Sequence, residues 1–579
     1  MMNLPREIHS FLRIFLVFVF LLVPSVFVLA EGVSPHHGGQ LVLATTSDPK
    51  SFNAITAKET STTLVTSYMF EGLTRVNGVT MQVEPHLAES WEVSEDGLTW
   101  TFHLRDDVQW FDGQPLTADD VVFTFQDLIF NDQIPNSARD IFTIDGKIFN
   151  VGKVDDHTVK FILPFKFAPF LWGMTQEILP RHVLKAAVEK GEFNFTWGID
   201  TPPGKIIGTG PYRLVRYNPG ERLVFERNPH YWKKSSEGDQ LPYIEKIVYL
   251  IIQNVDVGLL KFLDGEVDSV SLRGIDYPLV KPREQEGNFT IYETGPDFGT
   301  NFITFNQNSG KNPKTEESFV SPYKLAWFTN VHFRQAVAYA IDKKKIIEIV
   351  MNGLGTPQSS SMSPSSGFFY NPDVHDYEYD LDKAREILKR EGFVDHNQDG
   401  ILEDLEGHPL EFNLYTNSGA TDRVQMAGII RHDLQAIGMK VNFLPIEFNN
   451  LVKKLTADFD WDAIIIGLTG GVEPHFGKNV WSSDGGLHMW FPNQAAPATE
   501  WEKRIDEIFS QGVQELDPVR RKGLYDEFQV IVSEQLPVIY TVLGNTVYAV
   551  RNKFGNLHPT SYGGIFHNLE EIYIKENYK

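Results

Sequence analysis

The chain has 579 residues, 42% of them hydrophobic, no cysteine and a formal charge of −24. That length asks for several domain-sized units, and the missing cysteine excludes disulfides, thiolate metal sites and a cysteine nucleophile. So acidic a chain offers no basic face for nucleic acid, and no nucleic-acid partner is expected.

The first thirty residues read as a targeting segment. Arg6 and Arg13 form a basic n-region, residues 14–29 are an apolar run, and Val28 and Ala30 are small residues where a signal peptidase reads. Residues 1–30 are therefore predicted to be a signal peptide, cleaved before Glu31. The run is near spanning length, so an uncleaved anchor is the alternative; Pro24 and the Val-Leu-Ala ending favour cleavage. With no cysteine to carry a lipid, the product is expected to be a freely diffusing periplasmic protein and not a lipoprotein.

Residues 39–45 read as a first strand. In residues 85–125, Leu87, Ala88 and Trp91 start a strand and Asp96-Gly97 marks a two-residue hairpin turn. Thr99 to Leu104 is the return strand, rich in β-branched and aromatic residues. Thr117 is a predicted N-cap, with Asp119 and Asp120 in the first helical turn. Residues 246–252 form a continuous apolar run, the mark of a buried strand. The second half alternates differently. Phe333, Ala336, Val337, Ala340 and Ile341 recur at helical spacing, and Asp342 and Asp380 are placed to cap the next two helices. Strand 411–415, helix 423–437, strand 440–444 and strand 462–466 follow. This alternation predicts a parallel sheet with covering helices.

Four blocks carry a resemblance: residues 85–125; residues 207–232, with Gly208-Thr209-Gly210-Pro211-Tyr212 and Arg227-Asn228-Pro229-x-Tyr231-Trp232; residues 262–268; and residues 333–342. In content and order they resemble the family 5 solute-binding proteins of ABC importers, the oligopeptide-, dipeptide- and nickel-binding group. The resemblance implies an α/β, periplasmic binding protein-like fold of class II: two α/β lobes around a ligand cleft, with an extra inserted lobe. On it, lobe I comprises 31–78, 208–297 and 543–579, the inserted α+β lobe II comprises 79–207, and lobe III comprises 298–542. It also implies hinge closure on a ligand, delivery to a membrane ABC permease, no enzymatic activity and a monomer.

In open α/β sheets, ligands bind beyond the carboxyl ends of strands. Two loops fit. One holds Tyr415 and Asn417. The other holds Gly467, Leu468, Thr469, Gly470, Gly471 and Glu473, where glycines allow close backbone approach to a ligand. Peptide-binding members of the family offer an aspartate at the matching loop for the ligand's α-amino group. This chain has glycine there, with Glu473 a little further on, which puts a free amino terminus in doubt. Trp481, His488, Trp490 and Phe491 cluster downstream. They can line a pocket or pack the lobe's own core, and both readings stay open. Asn306 and Glu59 are further candidates, each with an ordinary loop or capping role as its alternative.

One metal motif is sharp. Residues 395–406 fit D-x-N-x-D-G-x5-E, with Asp395, Asn397, Asp399, the Ile401 carbonyl and Glu406 as candidate calcium ligands. Gly407 and Pro409 leave no room for a following helix, so this is not an EF-hand, and such acidic turns also occur without metal. No cofactor is required; a structural calcium is the candidate. The expected function is capture of a peptide-like solute, with an oligosaccharide as the alternative. A secreted, calcium-stabilised hydrolase is the rival from another class, and no nucleophile motif supports it.

Overall fold

The computed structural model describes residues 35–56, 60–136, 138–143, 147–492 and 494–578. The predicted signal peptide and Glu59 lie outside the described residues. Among the described residues, four sheets of four or more strands carry the fold.

The first sheet has the order Gln40–Thr45, Lys246–Ile251, Arg222–Arg227, Tyr212–Asn218. Its strand Lys246–Ile251 buries Ile247, Tyr249 and Ile251 fully. The alternate residues are only half-buried, with Leu250 packed against the Leu259 and Phe262 cluster. The apolar run is thus a strand with one fully and one partly covered face.

The second sheet is antiparallel throughout: Ala88–Val93, Thr99–Leu104, Thr158–Ile162, Asn150–Asp155. The hairpin at Asp96-Gly97 differs from the expected two-residue turn. Ser94 N–H donates to the Thr99 carbonyl at 2.9 Å and Gly97 N–H donates to the Ser94 carbonyl at 2.8 Å, which encloses a longer loop. Asp96 Oδ1 explains it, accepting from both Ser94 Oγ and Leu98 N–H. Gly97 still supplies the left-handed residue, at φ +73°.

The fourth sheet holds the order Lys440–Ile446, Glu411–Asn417, Ala463–Leu468, Thr300–Phe305, Val538–Tyr540. The first three strands run parallel, as expected; the last two are antiparallel to their neighbours. These two are the chain's passes to and from the third sheet (Ser269–Ser271, Val542–Arg551, Phe289–Pro296, with Gly355–Pro357 also paired to Val542–Arg551), so no crossover helix sets their direction. The passes lie at residues 297–299 and at Thr541. Thr541 N–H and Oγ1 both donate to the Asn301 carbonyl, at 3.0 and 2.8 Å, which pins the two passes side by side.

The covering helices form where the caps and spacing place them. Asp342 accepts from Lys345 N–H ahead of Lys343–Val350, and Asp380 accepts from Lys383 N–H ahead of Leu381–Arg390. Phe333, Ala336, Val337 and Ala340 are buried against the sheet from Val331–Ala340. No helix among the described residues is long and apolar enough to cross a membrane.

Two of the distinctive sequence blocks meet in space. Glu71, buried, accepts from Tyr231 Oη at 3.0 Å and from Trp232 Nε1 at 3.3 Å, and lies 2.9 Å from His86 Nε2. The Arg105 guanidinium sits 4.3 Å above the Trp232 ring. Asn228 Nδ2 donates to the carbonyls of Thr209 and Gly210. These residues brace the first two sheets against each other. A buried carboxylate left without such donors is costly.

Candidate ligand-binding site

A cavity of about 320 Å³ opens at the carboxyl end of Ala463–Leu468. Thr300 and Phe302 of the strand Thr300–Phe305, with Phe298 in the pass just before it, form one wall. Leu468, Thr469, Gly470, Gly471 and Glu473 form a second, and Phe476, Trp481, Phe528 and Tyr540 supply aromatic surface. Ser361, Met362 and Ser363 close the far side.

Six of the sequence-predicted residues therefore come together here: Leu468, Thr469, Gly470, Gly471, Glu473 and Trp481. Gly467 and Leu468 are the last residues of the strand and not loop residues. Gly467 lies behind the wall, where an added Cβ would stand 2.6 Å from Arg423. Gly470 is required by packing: a Cβ there would fall 2.0 Å from the Phe298 carbonyl oxygen. At Gly471 a Cβ would meet nothing. Among the described residues, no hydrogen bond runs from the N–H groups of Gly470, Gly471 or Val472 to a protein acceptor. The Gly471 carbonyl accepts from Ser366 Oγ at 3.0 Å.

Glu473 is not a free anion. Its carboxylate receives both terminal nitrogens of Arg521, one at 2.8 Å, with side chains only 2% and 7% exposed. Arg521 Nε is spent on the Gly512 carbonyl at 2.7 Å. Glu473 also accepts from His475 N–H, capping the short turn Pro474–Gly477. Burial, with the Arg521 and Lys478 charges added, pushes His475 down to about 3, so its ring is neutral at ordinary pH.

Several predicted site residues lie elsewhere. Trp490 is fully buried: its Nε1 donates to Glu502 at 3.0 Å, and His488 packs 3.9 Å from its ring. Trp481 shares that cluster through Phe528, at 4.9 Å, but keeps one face on the cavity. Asn306 is completely buried and braces a loop, with Nδ2 donating to the carbonyls of Phe459 and Trp461 and Oδ1 accepting from Asn308 N–H. Tyr415 and Asn417 stand within the strand Glu411–Asn417 and not in a loop beyond it. Tyr415 is buried beneath the Lys454 ammonium, and Asn417 Oδ1 accepts from Arg423 at 2.7 Å. Phe298, Thr300, Ser361, Ser363, Phe476 and Tyr540 were not among the sequence candidates. They come from separate segments, and no local sequence pattern links them.

The other lobes reach the rim. The Ala168 N–H donates to the Val513 carbonyl at 2.7 Å, and Phe167 packs on His475 at 5.8 Å. Trp172, Tyr562 and Phe298 form an aromatic chain at 6.2 and 5.9 Å. A second cavity, of about 830 Å³, lies where Asp297, Gly299 and Asn301 alternate with the residues of the first.

In the acidic turn, Asp395, Asp399 and Glu403 each offer a carboxylate oxygen, all within 4.8 Å of one another. Glu406, the predicted closing ligand, is outside this group with its side chain 79% exposed. The chain turns back at residues 404–408, where Asp404 accepts from Glu406 and His408 N–H, and this carries Glu406 outward. Asn397 Oδ1 accepts from Asp399 N–H, and Ile401 N–H donates to Asp399 Oδ1.

Residues 82–486 match the model of the bacterial extracellular solute-binding proteins, family 5. A probable ABC transporter-binding protein of Deinococcus radiodurans is 31% identical over 529 residues, covering 87% of this chain and 86% of the relative. The oligopeptide-binding protein AppA of Bacillus subtilis is 28% identical over 473 residues, 80% of each chain. The solved structure of AppA in complex with a nonapeptide superposes with a TM-score of 0.70 at 24% identity, covering 93% of this chain and 99% of that one. The fold is thus the multi-lobed α/β fold of periplasmic binding proteins, and the chain belongs to the bacterial extracellular solute-binding proteins of family 5.

Proposed function

We propose that this chain is the receptor subunit of an ABC importer, holding a peptide-like solute in the 320 Å³ cavity and presenting it to a membrane permease. The observation that carries the reading is the wall at Gly470 and Gly471. Its N–H groups are unengaged at the end of a strand, beside aromatic surface. Main-chain donors of this kind pair with carbonyl groups of a peptide whatever its side chains, and aromatic faces pack on those side chains. The oligopeptide-binding relative supports the same class.

Closure works by hinge motion. The passes at residues 297–299 and Thr541 join lobe I (31–78, 208–297, 543–579) to lobe III (298–542), with lobe II (79–207) riding on lobe I. The contacts of Phe167, Ala168 and Tyr562 are those of a closed form. Ligand shifts the equilibrium only as far as it prefers that form. The receptor acts as a monomer, performs no covalent chemistry and binds no nucleic acid. It is exported through a cleaved segment, residues 1–30, without a lipid anchor. A structural calcium on Asp395, Asp399 and Glu403 completes the proposal.

An oligosaccharide is the second reading, favoured by Trp481 and the hydroxyls of Thr300, Ser361 and Thr469 on the same walls. Equilibrium dialysis against peptide and oligosaccharide pools tests both. Stoichiometric retention of peptides supports the proposal, retention of sugars alone replaces it, and multiple turnover of either pool refutes the receptor reading.

A further inference from the structure

The cavity wall has a chemical bias that bears on which end of a peptide it can hold. The one charged side chain in its lining is Glu473, and Arg521 occupies both carboxylate oxygens. What remains is polar but uncharged: the unengaged N–H groups of Gly470 and Gly471, the hydroxyls of Thr300 and Thr469, and the Ser361 hydroxyl, buried without a partner. The Gly471 carbonyl already takes Ser366 Oγ. An ammonium carries three donors and no acceptor. Set against this wall it loses its hydration and gains no counter-charge, which is unfavourable. A peptide carbonyl or an acyl cap finds the donors it needs.

Resting on the peptide reading, we infer that the site recognises peptides through uncharged groups, so that it accepts N-blocked peptides or internal segments and gives a free α-ammonium no anchor. Asp297, next in sequence to the wall residue Phe298, is the alternative anchor. It lines the second cavity, and one of its oxygens already accepts from Phe298 N–H at 2.7 Å.

The test is competitive retention by the full exported protein, stripped of ligand by unfolding and refolding. The probe is an equimolar pool of tripeptides built from Ala, Leu, Phe and Ser, half with free amino termini and half N-acetylated with a heavy label. Mass spectrometry reads the ratio retained. The expected result is acetylated peptide retained at least as well as free peptide at pH 6, with the free form gaining and never losing ground as its amine deprotonates toward pH 9. A carboxylate anchor would favour the free form about tenfold or more. That preference, lost on raising the pH or in Asp297→Asn, overturns the inference and leaves the peptide reading standing. Retention of neither form, with sugars retained from a parallel glycan pool, overturns both.

Discussion

Replacing Arg521 by methionine exposes how the cavity wall is held together. The substitution removes two hydrogen bonds to Glu473 and one to the Gly512 carbonyl, in a place where both charged side chains are under a tenth exposed. Breaking a buried pair from one side leaves an uncompensated charge and costs about 3–5 kcal/mol. Removing both charges, in Glu473→Leu/Arg521→Met, relieves that penalty, so the double variant should lose less stability than the single one. The chain has several lobes, and a single unfolding curve need not be two-state. Urea titration is therefore read by hydrogen exchange of peptides covering Pro474–Gly477 and Pro518–Gln535. In Arg521→Met the freed carboxylate should also give the wall a preference for free-amino peptides. A single-variant loss below about 1 kcal/mol, or a double-variant loss equal to the sum of the singles, would refute the assignment of Glu473 and Arg521 as one buried unit.

Glu502 gives a pH prediction. Burial alone would raise its pKa, but the neighbouring His488 ring, 3.9 Å away, and hydrogen bonds from Trp490, Thr499 and the Ala498 N–H hold it down to about 2. A depressed carboxylate stabilises the fold above its unfolded pKa of 4.5. The contribution, about 3 kcal/mol, should vanish as pH falls from 4.5 through 2. Glu502→Gln should flatten that part of the acid-unfolding curve, and an unchanged curve would count against the network. Trp490→Phe loses one buried charge-assisted bond, about 1.5–3 kcal/mol of stability, while peptide affinity stays within about twofold. Gly470→Ala should cost about 1–3 kcal/mol by overpacking against the Phe298 carbonyl, and Gly471→Ala, which meets nothing, should change stability little. Millimolar calcium should raise the melting temperature and slow exchange across residues 395–403, and Asp395→Asn/Asp399→Asn should abolish both effects. If neither moves in the parent protein, the acidic turn is only a turn.

Much of the fold was legible because its signals are local. Asp342 and Asp380 cap helices through contacts three residues away, and the alternation in Thr99–Leu104 needs only its own strand. The distinctive blocks were legible as a pattern, but their role was not. Glu71, which gathers His86, Tyr231 and Trp232, belongs to none of them. The site was legible in part for the same reason. The strand-end loop announced itself by its glycines. Nothing near Glu473 in sequence predicts a partner 48 residues away. Trp481 and Trp490 sit in one aperiodic run, so no face could be assigned to either. Ser361 and Ser363 arrive at the cavity from a segment with no periodicity. Glu406 fitted the calcium spacing, yet the backbone turns it outward and brings Glu403 in.

The most direct test of the receptor assignment is mass spectrometry of small molecules released by denaturing the freshly purified exported protein. The account predicts about one equivalent of short peptides of mixed sequence, and mutation of Trp481 to alanine should deplete them. Release of oligosaccharides in place of peptides, or a peptide complement indifferent to Trp481, would contradict it.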